Sequence, residues 1–149
     1  MITIRQVTPH DVDLVAPLFD AYRQFYGQTP DLDLARTFLS QRLLAHESVV
    51  LVAEIAATMI GFTQLYPSFS TTRASSSYIL NDLYVVPEHR RSGAARRLLT
   101  GAAEFSAAKG ITRLSLSTAH SNIPAQKLYE SLGWVLDEQF RTYSLRLGA

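Results

Sequence analysis

The chain has 149 residues, the length of one ordinary domain, and its 47% apolar and 18% charged residues are typical of a globular protein. The absence of cysteine excludes disulfides, cysteine nucleophiles and thiolate metal sites, and it suits a reducing compartment. Fourteen basic against 13 acidic residues give a net charge of +1, which argues against a nucleic-acid-binding protein. The most apolar stretch, 49–62, is too short to cross a bilayer. These features predict a single domain over residues 1–149, soluble and cytoplasmic, with neither nucleic acid nor membrane as a partner.

Hydrophobic periodicity and turn residues divide the chain into alternating strands and helices. The elements expected in the first half are a strand at Ile2–Val7, a helix capped by Thr8 and ending at Gly27, a helix beginning after Asp31 or Asp33, and strands at Ser48–Ile55 and Met59–Tyr66. The elements expected in the second half are a strand at Tyr78–Val86, a helix at Gly93–Lys109, a buried strand at Leu114–Ser117, a helix at Ile123–Leu132 and a final strand at Phe140–Leu147. The serine-rich stretch Pro67–Ser77 is interpreted as a flexible connection.

A strand, a turn and a helix start follow one another over residues 80–99, the stretch with the most chemical information. The first turn of a helix presents unpaired N–H groups and a partial positive charge, so it attracts anions. The small residues that would let a phosphate approach this backbone are Ser92, Gly93, Ala94 and Ala95. The arginines that crowd the same helix end are Arg90, Arg91, Arg96 and Arg97. Because each exposed cation there costs about 0.3–1 kcal/mol, the pattern predicts a bound polyanion, with a solvated face of arginines as the alternative.

Other phosphate-binding motifs do not fit, since the sequence contains neither a Walker loop nor a G-x-G-x-x-G pattern. The spacing Arg90-x-x-Gly93-x-Ala95 resembles the Q/R-x-x-G-x-G/A signature of the GNAT acyltransferase superfamily. A second segment, from Asn122 through Tyr129 to Gly133-Trp134, resembles that family's later helix, N-x-x-A-x-x-x-Y-x-x-x-G-F/W. The specific motifs cover about residues 78–134, and the order of elements agrees along nearly the whole chain. Residues 81–85 and 22–26 look most like the histone and polyamine acetyltransferase branch.

The resemblance implies an α/β fold in which a mixed, mostly antiparallel twisted sheet is flanked by helices on both faces, in the order β-α-α-β-β-β-α-β-α-β(β). It also implies acetyl-coenzyme A as the co-substrate, with the pantetheine arm paired to a strand end and the pyrophosphate on the turn that follows. The residues implied for this binding are Leu83, Tyr84, Val85, Arg90, Arg91, Ser92, Gly93, Ala94, Ala95, Arg96, Asn122 and Ala125. The N–H group of Val85 would face the thioester carbonyl.

Acyl transfer from a thioester to an amine needs an acid for the departing thiolate. Tyr129 matches the family's general acid, and its alternative is a core tyrosine, because Ala125 and Leu132 share its helical face. Asn122, which would hydrogen-bond the cofactor's amides, would also serve as the cap of its helix.

The transfer also needs a base, because a primary amine is mostly protonated at neutral pH. Polyamine acetyltransferases have a glutamate where this chain has Asn81, and an asparagine cannot be a base. Asp82 would normally point to the other face of the strand, unless a bulge re-aims it. Water linked to Asp82 or a backbone carbonyl is a further option, and a purely structural Asp82 is the alternative.

Substrate contacts are expected from the first helix and the hairpin. The candidate substrate-binding residues are Tyr22, Tyr26, Tyr66 and Asn81, with Phe25 and Phe69 as possible further aromatic walls. Core packing is the favoured interpretation for Tyr22 and Phe25, and Tyr26 is the one expected to be exposed. The four histidines show no metal-ligand spacing, so no metal is expected.

These expectations combine into a direct acetyl-coenzyme A:amine N-acetyltransferase that works through a ternary complex, because no cysteine is available to carry the acyl group. The acceptor would be a small molecule, a lysine side chain or a protein N-terminus, and the family suggests a homodimer or larger homo-oligomer. The alternative is a coenzyme A-binding sensor or partner module that has lost catalysis, for which Asn81 in place of an acidic residue is the motive.

Overall fold

The computed structural model describes residues 1–148. In chain order its elements are β1 (Thr3–Gln6), α1 (Val12–Phe25), α2 (Leu32–Leu44), β2 (Val49–Ile55), β3 (Thr58–Ser70), β4 (Ser75–Val85), α3 (Ala94–Ala108), β5 (Leu114–Ser115) and α4 (Ile123–Ser131). They fall into two compact units, Met1–Ser117 and the residues from Thr118 onward, and each unit is described by itself. No helix among residues 1–148 is long and apolar enough to span a membrane.

The first unit contains one five-stranded sheet in the order β1-β2-β3-β4-β5. Neighbouring strands are antiparallel except for β4 and β5, which run parallel. This confirms the predicted α/β class with a mixed, mostly antiparallel sheet. The strands are consecutive in the sheet because hairpins join β2 to β3 and β3 to β4, whereas the parallel step to β5 needs the crossover helix α3.

Local signals in the sequence set the helix starts. The backbone N–H of Thr8 donates to the Asp11 carboxylate at 2.8 Å, and a short 3-10 turn at Pro9–Asp11 leads into α1. Asp31 caps α2, since its carboxylate accepts the Leu34 N–H at 3.0 Å. The predicted cap at Thr8 is therefore confirmed at the 3-10 turn, and α2 begins after Asp31, the first of the two predicted starts.

Alternation along the strands places one hydrophobic cluster between the sheet and helices α1 and α2. The buried members of this cluster are Val7, Val12, Val15, Leu18, Leu39, Leu43, Val50, Val52, Phe62 and Tyr84. Phe19 of α1 stacks on Phe62 of β3 with ring centroids 6.2 Å apart, which fixes α1 against the middle of the sheet.

The hairpin between β3 and β4 is longer than the sequence suggested. The stretch Pro67–Ser77 was expected to be a flexible connection, but its residues pair from Pro67↔Tyr78 to Ser70↔Ser75, and only residues 71–74 form the turn. The expectation was wrong because the serine-rich composition hid the pairing. Antiparallel neighbours satisfy each other's backbone groups whatever their side chains are.

Two predicted strands near the C-terminal end differ from the structure. β5 is limited to Leu114–Ser115 and is half-buried to exposed, not a four-residue buried strand. No strand forms over residues 140–147, where Phe140–Leu147 was expected to pair and the side chains are instead exposed. An alternating pattern identifies a chain that can be a strand, but a strand also needs a neighbour that accepts its backbone hydrogen bonds.

Candidate active site

The end of β4 carries an open backbone edge. β4 pairs with β3 along its whole length, whereas on its other side it pairs with β5 only at Tyr78 and Ile79. From Leu80 to Val85, this second edge of β4 has no strand partner among residues 1–148. Such an edge offers alternating N–H and C=O groups to an extended ligand, as a sheet does to an added strand.

A glycine on β3 sets the spacing at this strand end. A Cβ added at Gly61 would lie 2.7 Å from the backbone oxygen of Tyr84 and 3.2 Å from Cγ2 of Val85. Any side chain at this position would push β4 away from β3. The absence of a side chain at Gly61 therefore keeps the last residues of β4 close to the sheet.

The turn that follows β4, residues 90–96, will be called the phosphate turn. Arg91 and Gly93 both have positive φ angles, 65° and 88°, which bend the chain sharply just before α3 begins at Ala94. The Arg97 N–H donates to the Gly93 oxygen at 3.0 Å, so the first turn of α3 follows directly on Gly93 and its N–H groups point toward the turn.

The space over the phosphate turn suits an anion. A Cβ built on Gly93 would meet no atom within 4 Å, so the backbone is open to an incoming group. The Ala94 N–H is held by the Ser92 hydroxyl at 3.3 Å, which an oxyanion could replace. A 15-residue helix behind these groups adds the partial positive charge of its N-terminus. The residues present therefore fit a diphosphate.

Arg90 is directed to the strand end rather than outward. Its Nε–H donates to the backbone oxygen of Val85 at 3.0 Å. Its guanidinium carbon lies 5.3 Å from the ring centroid of Phe25 and 5.7 Å from that of Tyr84. Arg90 thus ties the phosphate turn to the end of β4 and to the last residue of α1.

Asp82 is the centre of a hydrogen-bonded group that joins β4 to β3. This carboxylate cluster comprises Gln64, Asn81 and Asp82. Gln64 Nε2 donates to one carboxylate oxygen of Asp82 at 2.7 Å, and Asn81 Nδ2 donates to the other at 3.0 Å. Asp82 is 6% exposed and Gln64 is fully buried, while Asn81 is exposed. Both amides donate hydrogen bonds, and an ionised carboxylate offers only acceptors, so the two kinds of group match.

A bulge lies at this point of the β3–β4 pair. Gln64 is opposite Asp82, and the next residue, Leu65, is opposite Leu80, so Asn81 is an extra residue on β4. The bulge that would allow Asp82 to be re-aimed is therefore present.

The four predicted substrate-binding residues fall into two groups. Asn81 and Tyr66 form the first group, around Asp82. Asn81 donates a hydrogen bond to the Asp82 carboxylate. Burial, and after it the nearby Asp82 charge, raises the pKa of the Tyr66 phenol to about 12. Tyr22 and Tyr26 pack edge to face with centroids 5.0 Å apart, and Tyr22 also meets the ring of Tyr84 at 6.0 Å.

The exposure of the first helix's aromatic side chains was predicted only in part. Tyr26 is exposed, as expected, and Tyr22 is half-buried. Phe25 was expected in the core and is 61% exposed, because it lies at the last turn of α1 where the helix leaves the sheet.

The remaining predicted residues belong to the second unit. Asn122 caps α4, with its side-chain oxygen accepting the Ala125 N–H at 3.3 Å. Tyr129, in the same helix, is half-buried, with its ring centroid 6.1 Å from that of Trp134. The backbone N–H of Trp134 donates to the Tyr129 backbone oxygen at 3.1 Å, just after the end of the helix.

Sequence reasoning missed Thr63 and Gln64, both fully buried in the middle of β3. The Thr63 hydroxyl donates to the backbone oxygen of Asp82 at 2.7 Å, from the opposite face of the strand to Gln64. Two adjacent polar residues inside the apolar run Met59–Leu65 were the available signal, because a buried polar group needs a hydrogen-bonding partner.

The first unit also contains a groove outside this region. A groove of about 350 Å³ between β1 and α3 contains none of the predicted site residues; it is lined by Ile4, Arg5, Gln6, Leu51, Gly101, Glu104 and Phe105. No group of three or more His, Asp or Glu side chains that could hold a metal ion is found in the described part of the chain.

An open strand edge beside a helix start that suits an anion fits an acyltransferase. The chain belongs to the acetyltransferase (GNAT) family, whose model matches residues 15–134. It is 47% identical over 148 residues to an uncharacterized N-acetyltransferase, YhfO, of Bacillus subtilis (strain 168), covering 99% of both chains.

Two further proteins agree with this assignment. A crystal structure of a probable acetyltransferase, 40% identical, matches with a TM-score of 0.92 and covers 99% of each chain. A thialysine N-epsilon-acetyltransferase of Bos taurus is 34% identical over 91 residues, which is 56% of this chain and 53% of that protein. The comparisons confirm the GNAT resemblance and the acetyltransferase class.

Proposed function

We propose that this protein is an acetyl-coenzyme A-dependent N-acetyltransferase that transfers the acetyl group directly to an amine in a ternary complex. The observation that supports it most is the open edge of β4 that ends at the phosphate turn. An extended arm and a diphosphate are the two parts of coenzyme A that need such neighbouring sites. Acetyl-coenzyme A supplies the acetyl group as an activated thioester.

The backbone of Leu83, Tyr84 and Val85 binds the pantetheine arm in this proposal. The Val85 N–H donates a hydrogen bond to the thioester carbonyl oxygen, where negative charge grows during transfer. The N–H groups from Arg91 to Arg96 bind the diphosphate, and the Arg90 side chain holds the strand end beside it. Asn122 and Ala125, at the start of α4, contribute further contacts to the cofactor.

Tyr129 is the proposed general acid. It donates its phenolic proton to the sulfur as the carbon–sulfur bond breaks, so that the departing group leaves as a neutral thiol. A placed acid of this kind accelerates a reaction by about 10²- to 10⁴-fold.

Asp82 is the proposed base, acting directly or through a water molecule. It accepts one proton from the ammonium form of the acceptor, after which the nitrogen forms its bond to the acetyl carbon. The second proton leaves the nitrogen as the amide forms and the carbon–sulfur bond breaks, and it restores the phenol of Tyr129. The carboxylate cluster orients Asp82 for this role, because the Gln64 and Asn81 amides contact its two oxygens. Asn81 and Tyr66 beside it, and Tyr22 and Tyr26 at the end of α1, form the acceptor site.

The acceptor in this proposal is an amine that arrives as a cation. A negative carboxylate and aromatic rings are the groups that recognise such a charge. The enzyme is further proposed to work in the cytoplasm as a homodimer or larger homo-oligomer, and light scattering on the purified protein tests this assembly.

Release of free thiol from acetyl-coenzyme A tests the proposal. The purified protein is assayed with a panel of polyamines, amino acids, aminoglycosides and lysine peptides, with mass detection of the acetylated amine. We expect at least one amine to be acetylated, and we expect Tyr129→Phe to lower kcat by about 100-fold or more. Tyr143→Phe, at an exposed tyrosine of the same unit, is the matched control and should keep the parent kcat.

A coenzyme A sensor without catalysis gives a different result. Such a protein would bind coenzyme A and release no thiol with any amine, and that outcome would contradict the proposed enzyme.

A further inference from the structure

Gln64 combines full burial with an incomplete set of hydrogen bonds. Its Nε2–H donates to Asp82 Oδ2 at 2.7 Å, but its Oε1 accepts no hydrogen bond among the described residues although it is buried. The orientation of the amide is fixed, because only the nitrogen end can donate to a carboxylate. The nitrogen end of the amide therefore has a hydrogen-bonding partner, whereas the oxygen end is buried without one among the described residues.

A buried acceptor without a partner destabilises the folded protein, so a residue chosen for packing alone would be apolar. Methionine has nearly the shape of glutamine and carries no strong acceptor to leave unpaired. Leucine and phenylalanine already occupy the neighbouring core positions Leu65 and Phe62. Packing alone therefore does not explain a glutamine at position 64. The side-chain hydrogen bond that Gln64 makes is to the Asp82 carboxylate.

Asp82 needs such a contact because it is buried without a cation. No arginine, lysine or histidine among residues 1–148 forms an ion pair with Asp82, whereas the other buried carboxylate of the described residues, Asp20, is paired with Arg23. The second amide of the carboxylate cluster, Asn81, is exposed and so is free to exchange its contact for solvent or ligand. Gln64 is fully buried, so solvent does not replace its hydrogen bond to Asp82.

We propose that Gln64 is a positioning residue that fixes the Asp82 carboxylate toward the acceptor amine, leaving its charge to be neutralised by that amine and not by the protein. The inference rests on the proposed function. Oδ2 of Asp82 is held by Gln64, and Oδ1, which only the exposed Asn81 contacts, is the oxygen that takes the acceptor's proton. In the transfer the N–H bond of the ammonium breaks, and its proton goes to Oδ1.

The test uses three single variants, Gln64→Met, Thr63→Val and Asp82→Asn. It also uses the double variant that combines Gln64→Met with Asp82→Asn. Thr63→Val is the matched control, because it removes a 2.7 Å hydrogen bond to the same residue, Asp82, at its backbone oxygen and not at its carboxylate. Tm, kcat and both KM values are measured for every variant with the acceptor that the parent acetylates.

We expect Gln64→Met to lower kcat by about 10- to 100-fold, as for a lost hydrogen bond to a charged group, with the KM for acetyl-coenzyme A within about twofold of the parent. Thr63→Val should lower the Tm by a similar amount and keep kcat within about threefold. In the Asp82→Asn background, Gln64→Met should have no further effect on kcat, because Gln64 acts through Asp82.

Three results would overturn the inference: a parent-like kcat for Gln64→Met, an equal loss of kcat in the presence and absence of Asp82, or an equal loss for Thr63→Val. In each of these cases the parent is active, so the proposed function stands and only the role of Gln64 falls. A parent that acetylates no amine overturns both.

Discussion

Replacing Gly61 by alanine tests the close approach of β3 and β4 at the end of the candidate site. The new methyl carbon would lie 2.7 Å from the backbone oxygen of Tyr84, about 1 Å inside the separation at which nonbonded atoms attract. It would also lie 3.2 Å from Cγ2 and 3.3 Å from Cα of Val85. Because two of these three atoms belong to the backbone, no side-chain rotation can relieve the contact.

The strands must therefore separate locally. Overpacking of a buried site costs about 1–3 kcal/mol. For a chain of this size, 1 kcal/mol corresponds to about 2–4 °C in Tm, so we expect Gly61→Ala to lower the Tm by about 3–10 °C. The displaced residues, Tyr84 and Val85, are those proposed to bind the pantetheine arm, so the Kd for coenzyme A should rise by about tenfold.

Thermal unfolding followed by circular dichroism and calorimetric titration with coenzyme A measure the two effects. Gly101→Ala is the matched control, because the three atoms nearest its added methyl group all belong to the Ile4 side chain, Cγ2 at 3.0 Å being the first, and alanine is the better helix former by about 1 kcal/mol. It should keep the parent affinity for coenzyme A. A Gly61→Ala protein with the Tm and affinity of the parent would refute the described strand spacing.

Two further predictions concern charged groups of the first unit. Asp20→Ala leaves the Asp31 N–H and the Arg23 guanidinium without their buried partner, so the free energy of unfolding in urea should fall by about 2–4 kcal/mol, and a loss under 0.5 kcal/mol would contradict the contact. Hydrogen bonds from Arg5 lower the pKa of Asp11 to about 2, so this pair stabilises the fold above about pH 4 and its contribution is lost as the pH falls through 2. After allowance for the partial exposure of Arg5, the loss should be about 1–2 kcal/mol, and acid unfolding of Asp11→Asn should lack it.

Much of the fold could be predicted because its signals are local. Thr8 and Asp31 cap their helices through contacts three residues away, and the glycine at position 93 marks the start of α3 through its positive φ. The motif of the phosphate turn likewise depends on backbone conformation, which short spacings in the sequence specify. Periodicity identified the strands of the hairpin but not its length, because paired serines satisfy their backbone groups as well as apolar residues do.

The carboxylate cluster could not be predicted, because the contact between Gln64 and Asp82 joins two strands whose pairing register is shifted by a bulge. Gln64 meets Asp82 through the extra residue, Asn81, that a bulge inserts into β4. A slip of one residue reverses the face that a side chain occupies, so the partner of a buried polar residue depends on tertiary pairing and not on local sequence. Burial of Gln64 itself was readable from its position within an apolar run.

In the proposed function, the phosphate turn and the open edge of β4 together bind coenzyme A. Calorimetric titration of the protein with coenzyme A and, separately, with pantetheine, which lacks the diphosphate, tests it most directly. We expect coenzyme A to bind saturably and more weakly as salt is added, and pantetheine to bind about 100-fold or more weakly than coenzyme A. Equal affinities for the two ligands, or no binding of either, would contradict it.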